Sequence, residues 1–284
     1  MPLVPAKALL EQALAGGYAV GAFNVNNMEI LQAIIRAAEA ERAPVILQAS
    51  QGAIRYAGLP YITALAKAAA EEATVPVALN LDHGTSFEQI VRCLRFGFTA
   101  IMYDGSKYSL EENIERTRKV VELCHAAGVS VEGELGRIGG TEDDISVSER
   151  EAFLADPAEA ERFVQETGID YLAPAVGTAH GPYKADPEID FERLARIHQL
   201  TGVPLVLHGA SGVPDADIRR AIDCGVAKIN IDTELRQAFS AAVKEFVGAH
   251  PEEIDPRKIL GPAREAMLER VREKMRLFGS AGKA

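Results

Sequence analysis

The segment VALNLDHGTS, residues 77–86, decides the fold. Val77, Ala78, Leu79 and Leu81 are interrupted only by Asn80, so the run reads as a strand buried on both faces, as in a parallel sheet. It ends on Asp82 and His83 side by side, followed by Gly84. A buried strand that closes on a carboxylate next to an imidazole calls for a reason other than packing.

The same apolar, β-branched pattern recurs along the chain: YAVGAFNV (18–25), APVILQAS (43–50), VPVALNLD (75–82), TAIMYD (99–104), VSVEGEL (129–135), DYLAPAVG (170–177), VPLVLHG (203–209) and AKINID (227–232). Helical periodicity fills the gaps. In MEILQAIIRAAEAER apolar residues fall at 30, 31, 34, 35 and 38, an i, i+3, i+4 stripe. In SLEENIERTRKVVELCHAAG, Ser109 can cap, Glu111 and Glu112 occupy the first turn and Gly128 ends the helix. Alternating strands and helices imply a parallel sheet with crossover helices. Eight such units in 284 residues suit a closed (β/α)8 TIM barrel. An open doubly wound sheet would carry an early G-x-G-x-x-G turn, and none follows the first strand. The chain therefore reads as a single TIM-barrel domain, residues 1–284, with an extra C-terminal helix from Asp255 onward, preceded by Pro262 and ended near Gly279.

The formal charge of −11 argues against nucleic acid as a partner, since phosphate-backbone binding needs a basic face. No apolar run is long enough to span a membrane, and the N-terminus MPLVPAKALLEQALAGG lacks the marks of a signal peptide. A cytoplasmic protein is the expectation. Cys93, Cys124 and Cys224 form no disulfide framework and read as small core residues.

In such barrels chemistry sits at the carboxyl ends of the strands. Those ends supply Asn24, Ser50, Asp82, His83, Asp104, Glu132, Glu134, His180, His208, Asn230 and Asp232, whereas the opposite ends open with Ala43-Pro44, Val75-Pro76 and Val203-Pro204. His125, His198 and His250 read as surface or helix-end residues. His83, His180 and His208 each follow an apolar strand and precede glycine: DHG, AHG, LHG. One such histidine is explained by packing; three in one local setting suggest a catalytic metal with an open position. Their separation fits no short metal motif, so equivalent placement on separate strands carries the reading. Glu132 and Glu134 flank Gly133 and project to one face of their strand. A cation at the barrel mouth explains that pair better than solvent exposure does, and Asp104 is placed to share it. Asp82 is either a partner that orients a histidine or an acid/base facing substrate. The acidic, glycine-hinged loop RIGGTEDDISVSERE (137–151) reads as a solvated loop or as a mobile lid carrying a base, Glu142 or Asp143. Two segments suit phosphate: HGASG (208–212), before a helix beginning near Pro214, and NIDTELR (230–236), where the last strand runs into a helix capped by Asp232 or Thr233.

Taken together, LDHG, VEGELGRIGGTE, AVGTAHGPYK, LVLHGASG and KINIDTELR resemble, in order and over nearly the whole chain, the class II metal-dependent fructose-bisphosphate aldolases, including the tagatose-bisphosphate branch. The resemblance implies that His83, His180 and His208 hold zinc, and that Asp104 and Glu134 serve a second or displaced divalent metal. It implies that Asp82 is the acid/base for the aldehyde half and that Glu142 moves the carbon-bound proton. Gly181, Gly209, Ala210, Ser211, Asn230, Ile231, Asp232 and Thr233 would hold dihydroxyacetone phosphate, with Asn24 and Ser50 also at the sugar. Lys184 would lie near a monovalent cation. Arg236, and Arg257 from a neighbouring subunit, would meet the distal phosphate in a homodimer or homotetramer. HGPYK and the closing FGSAGKA look closer to the fructose branch than to the tagatose one.

Three rivals are weighed against this. A Schiff-base aldolase needs a lysine deep at a strand's carboxyl end, and Lys228 stands at the other end of its strand while Lys107 and Lys184 are in loops. A metal-dependent sugar isomerase would leave its substrate uncleaved. A sugar-phosphate-binding barrel without turnover would have no need of Asp82 and Glu142.

Overall fold

A computed structural model describes residues 2–142, 145–148, 153–181 and 187–284, with only the backbone described for Thr141, Glu142, Ile145 and Ser146. Strands β1 (Val20–Asn24), β2 (Val45–Ser50), β3 (Val77–Gly84), β4 (Ala100–Tyr103), β5 (Ser130–Leu135), β8 (Tyr171–Pro174), β10 (Leu205–Leu207) and β11 (Val226–Ile231) pair in parallel and close into an eight-stranded barrel. The last strand returns to the first with Val20 opposite Lys228 and Ala22 opposite Asn230. The fold is the (β/α)8 barrel that the strand–helix alternation predicts.

Three further strands lie outside it. β6 (Gly139–Glu142) and β7 (Ile145–Val147) form an antiparallel hairpin, and β6 pairs in parallel with β9 (Ala179–His180). The acidic segment expected to be a loop or lid is thus partly a hairpin docked on the strand that carries His180. Its polar, glycine-rich sequence gives no apolar alternation to reveal this.

Packing falls into two bodies. The larger lies between the barrel and its outer helices and includes Phe23, Leu47, Phe98, Phe163 and Phe278. The smaller fills the lower barrel with Val20, Ile46, Tyr171 and Val206, and the helix Ala6–Gly16 plugs it from below with Leu9, Leu10 and Ala13. The bottom of the barrel is therefore closed and apolar, and among the described residues the polar groups gather at the opposite, carboxyl end of the strands, in keeping with barrel architecture generally.

The C-terminal helix differs from the sequence expectation. It spans Pro256–Leu277, so Pro262 lies inside it and not before it. The start is set by Asp255, whose side chain accepts from the Arg257 amide, and by Pro256 in the first turn. The helix packs along the helix Met28–Glu41, with Arg272 and Arg276 both bound to the Glu41 carboxylate. No described helix is long and apolar enough to cross a membrane.

Candidate active site

Adjacent residues on a regular strand point to opposite faces, so Asp82 and His83 need a device to serve one site. The structure supplies it. The register between β3 and β4 shifts between Leu81 and Gly84, and His83 adopts the left-handed region with φ of 48°. A non-glycine residue held there costs on the order of 1–3 kcal/mol unless its surroundings fix it. Here Gln51 donates its side-chain amide to the His83 carbonyl at 2.5 Å, and the His83 amide donates to the Met102 sulfur at 3.4 Å.

The three histidines converge. Ring centroids lie 5.0 Å apart for His83 and His180, 4.9 Å for His83 and His208, and 5.7 Å for His180 and His208. One nitrogen from each falls within 4.8 Å of the others, and His83, Asp104 and Glu134 form a second such group. His180 reaches the cluster because two glycines flank its backbone. A Cβ on Gly140 would strike the His180 carbonyl oxygen, and one on Gly209 would strike the Ala179 carbonyl oxygen; both glycines have positive φ.

Carboxylates orient two of the rings. The Asp104 Oδ2 lies 3.2 Å from His83 Nδ1, and Oδ1 accepts from the Ser106 amide and hydroxyl. Burial would raise the Asp104 pKa, but the His83 contact and the two Ser106 donors outweigh it and hold the carboxyl below its ordinary value. With Nδ1 of His83 donating, its Nε2 carries the lone pair. Glu134 lies 3.7 Å from His83 Nδ1. Its Oε2 is buried with no hydrogen-bond partner. Burial, then the neighbouring Asp104 charge, push its pKa well up. Burial lowers the pKa of His208, which keeps that ring neutral as a metal ligand requires.

Glu132 is a correction to the sequence reading. It is fully buried, as a cation-bound carboxylate would be, but its cation is Lys228, whose Nζ donates to Oε2 at 2.6 Å. Its Oε1 lies 2.8 Å from His208 Nε2. Burial would raise the Glu132 pKa, but Lys228 and His208 bring it down to about 2. Lys228, considered in the sequence only as a Schiff-base candidate, is consumed by this pair.

Asp82 is fully buried. Its Oδ2 accepts from the Asn24 amide at 3.0 Å, and the Gln48 amide donates to Asn24 Oδ1 at 3.1 Å. The other oxygen, Oδ1, has no hydrogen-bond partner. A carboxylate gripped on one oxygen and open on the other is oriented for proton transfer. Gln48 sits mid-strand, and only its partners on the two neighbouring strands, Asn24 and Asn80, give it meaning.

The two segments expected to hold phosphate, 208–212 and 230–236, face each other. The Ser211 hydroxyl accepts from the Glu234 amide at 3.4 Å, and Glu234 Oε1 accepts from the Gly212 amide at 2.8 Å. Lys274 of the C-terminal helix binds Glu234 Oε2 at 2.8 Å. Behind them start the helices Asp215–Asp223 and Thr233–Ala249, with Ala210 buried in the first loop and Ile231 ending β11. Asp232 is the cap residue of the second helix, but its carboxylate goes to Arg236 at 2.6 Å and makes no cap hydrogen bond. Asn24 ends β1 and Ser50 ends β2, where the Ser50 hydroxyl caps the next helix. Gly181 directly follows β9. Arg257 is exposed and held by Asp255 at 2.7 Å. Glu142 ends β6, with only its backbone described; Asp143 and Lys184 lie outside the described residues.

A parallel barrel whose mouth gathers three imidazoles, two further carboxylates and a half-open aspartate defines a metal-dependent enzyme of barrel type. The chain matches the family described as fructose-bisphosphate aldolase class-II over residues 4–283, and it belongs to that family. It is an aldolase, and hence a lyase, of the class that works with a divalent cation. It is 50% identical to the fructose-bisphosphate aldolase of Thermus caldophilus, covering 99% of this chain and 100% of that one. It is 51% identical to the fructose-bisphosphate aldolase of Geobacillus stearothermophilus, covering 100% and 99%. Among solved structures it superposes on the YdjI aldolase from Escherichia coli K12 with a TM-score of 0.88 at 38% identity, covering 99% of both chains.

Proposed function

We propose that this protein cleaves fructose 1,6-bisphosphate reversibly between C3 and C4, giving dihydroxyacetone phosphate and glyceraldehyde 3-phosphate, with one zinc ion held by His83, His180 and His208. The observation that carries the reading is the convergence of those three imidazoles next to the half-open carboxylate of Asp82. The donor set fits the ion: three nitrogen ligands, two of them buried, and the buried, unpartnered Glu134 Oε2 beside His83 suit a divalent cation such as zinc. His83, Asp104 and Glu134 would take a second or displaced divalent ion.

When bound, the cation supplies a Lewis acid for the charge that builds on the C2 carbonyl as the bond breaks. Asp82 takes the C4 hydroxyl proton on its open oxygen. The O–H electrons become the aldehyde C=O, the C3–C4 pair passes to C3, and Glu142 delivers a proton to C3. Asn24 keeps Asp82 in line for the first transfer. Gly181, Gly209, Ala210, Ser211, Asn230, Ile231, Asp232 and Thr233 hold the ketone-side phosphate, helped by the two helix N-termini behind them. Arg236 and a neighbouring subunit's copy of Arg257 take the distal phosphate, with Ser50 at the sugar and Lys184 near a monovalent cation. The arrangement requires a homodimer or homotetramer, and a doubly phosphorylated substrate that does not cross membranes suits a cytoplasmic enzyme.

A coupled assay for triose phosphate tests this, run on fructose and tagatose 1,6-bisphosphates before and after chelation. Fructose bisphosphate should be cleaved faster, activity should vanish with the metal, and zinc should restore it. Full-speed cleavage by demetallated protein would overturn the reading; faster tagatose cleavage would reassign the C4 preference.

A further inference from the structure

His208 and Lys228 share one buried carboxylate. Glu132 presents Oε1 to His208 Nε2 at 2.8 Å and Oε2 to Lys228 Nζ at 2.6 Å, and all three side chains are closed to solvent. A buried ion pair is weak grounds for stability, because two apolar side chains of similar volume often serve as well. The register partners, Tyr171 beside Glu132 and Val206 beside Lys228, belong to the lower packing cluster, which is apolar apart from the Tyr171 hydroxyl. Something other than packing therefore accounts for charge at this depth.

We propose that Lys228 is a positioning residue for catalysis: by holding one oxygen of Glu132, it makes the other accept from Nε2–H of His208, so that Nδ1 keeps the lone pair that faces the metal. The proposal rests on reading His208 as a metal ligand. The Asn230 Nδ2 lies 3.2 Å from His208 Nδ1 and 3.3 Å from Nε2 and so favours neither nitrogen, which leaves the 2.8 Å contact between Glu132 and Nε2 to set the tautomer. With the proton on Nδ1 instead, a bare Nε2 would meet a carboxylate oxygen at 2.8 Å, acceptor against acceptor.

Lys228 also determines what a glutamine could do in place of Glu132. In E132Q, Lys228 claims the amide oxygen. The NH2 group then faces Nε2 and forces the proton to Nδ1, where it blocks the metal. Removing the lysine as well lets the amide rotate and present its oxygen to Nε2–H. The two substitutions should therefore oppose each other.

Two measurements test this on the full-length chain. In metal-free protein, ¹⁵N chemical shifts of the imidazoles report which His208 nitrogen is protonated. Chelator competition gives zinc affinity, with the visible spectrum of the cobalt(II)-substituted protein as a second readout. Wild type should show Nε2–H. E132Q should move to Nδ1–H and lose about 10- to 100-fold in zinc affinity, the range typical of partners that orient a metal-bound histidine. E132Q/K228M should regain both the tautomer and most of the affinity, and its balanced charge favours folding. E132L/K228M, equally neutral but with no acceptor for Nε2, should not regain them. Equal recovery by the two double variants would reduce the pair to barrel filling and overturn the proposal. If H208A binds zinc as tightly as wild type, the ligand assignment itself falls, whichever tautomer is observed.

Discussion

Gly140 and His180 are backbone partners between β6 and β9, so close that a Cβ on Gly140 would collide with the His180 carbonyl oxygen. The hairpin bearing Glu142 and the strand bearing His180 of the imidazole cluster are therefore one unit. G140A should separate them. Its φ of 98° is costly for any residue with a Cβ, on the order of 1–3 kcal/mol, and the collision adds to that. The barrel itself does not depend on this contact. Zinc titration should show weakened affinity and the cleavage assay a loss of kcat, while thermal unfolding of the metal-free barrel stays near that of wild type. Unchanged zinc affinity and kcat would show that the hairpin and His180 are independent.

In the proposed mechanism, Asp82 and Asn24 serve proton transfer and not metal binding, and variants separate the two. D82N keeps the shape and removes the base, so kcat should fall about 10²- to 10⁴-fold, the usual contribution of a positioned general base. Zinc affinity, read by chelator competition, should hold. N24L should lower kcat by a smaller factor, since it leaves Asp82 Oδ2 without its donor but keeps the carboxylate. If D82N lost zinc as readily as activity, Asp82 would be a partner of the neighbouring His83 and not the base.

How much of this the sequence discloses depends on distance along the chain. The barrel strands are legible because each is a local run of apolar residues with a proline or glycine near its end. The histidine trio is legible because each member repeats the same strand-end setting. Lys228 is not, because its meaning depends on Glu132 in a strand contributed much earlier in the chain. The docked hairpin β6–β7 is hidden for a different reason: its pairing is backbone to backbone and leaves no side-chain pattern. Pro262 misleads because proline commonly marks a helix boundary, yet the Asp255 cap and the packing against Met28–Glu41 carry the helix through it.

Lys274 and Glu234 tie the C-terminal helix to the loops proposed to hold phosphate. Lys274 is buried, and Glu234 passes its hold on to the Gly212 amide. K274M should free Glu234 and loosen both loops. KM for the bisphosphate should rise several-fold while kcat changes less, with about 1–2 kcal/mol lost from stability for the broken buried contact. Steady-state kinetics with a urea titration separate the two effects. A kcat defect at constant KM would contradict a role in holding phosphate.

Glu41 gives the C-terminal helix a pH-dependent anchor. The Arg276 hydrogen bond, opposed by burial and reinforced by Arg272, holds its carboxyl below the ordinary 4.5. The folded state then binds a proton at Glu41 less readily than the unfolded chain. Stability from this group is complete above the ordinary carboxylate pKa and is lost as pH falls through the depressed folded value. Arg276 is half exposed and solvent screens the pair, so the contribution is about 1 kcal/mol. Urea unfolding of wild type and E41Q should differ by that amount near neutral pH, wild type being the more stable. Below the ordinary carboxylate value the gap should narrow steadily as the medium becomes more acidic. A gap that stayed constant across the acid range would mean that the glutamine fails through packing and that the charge on Glu41 contributes nothing.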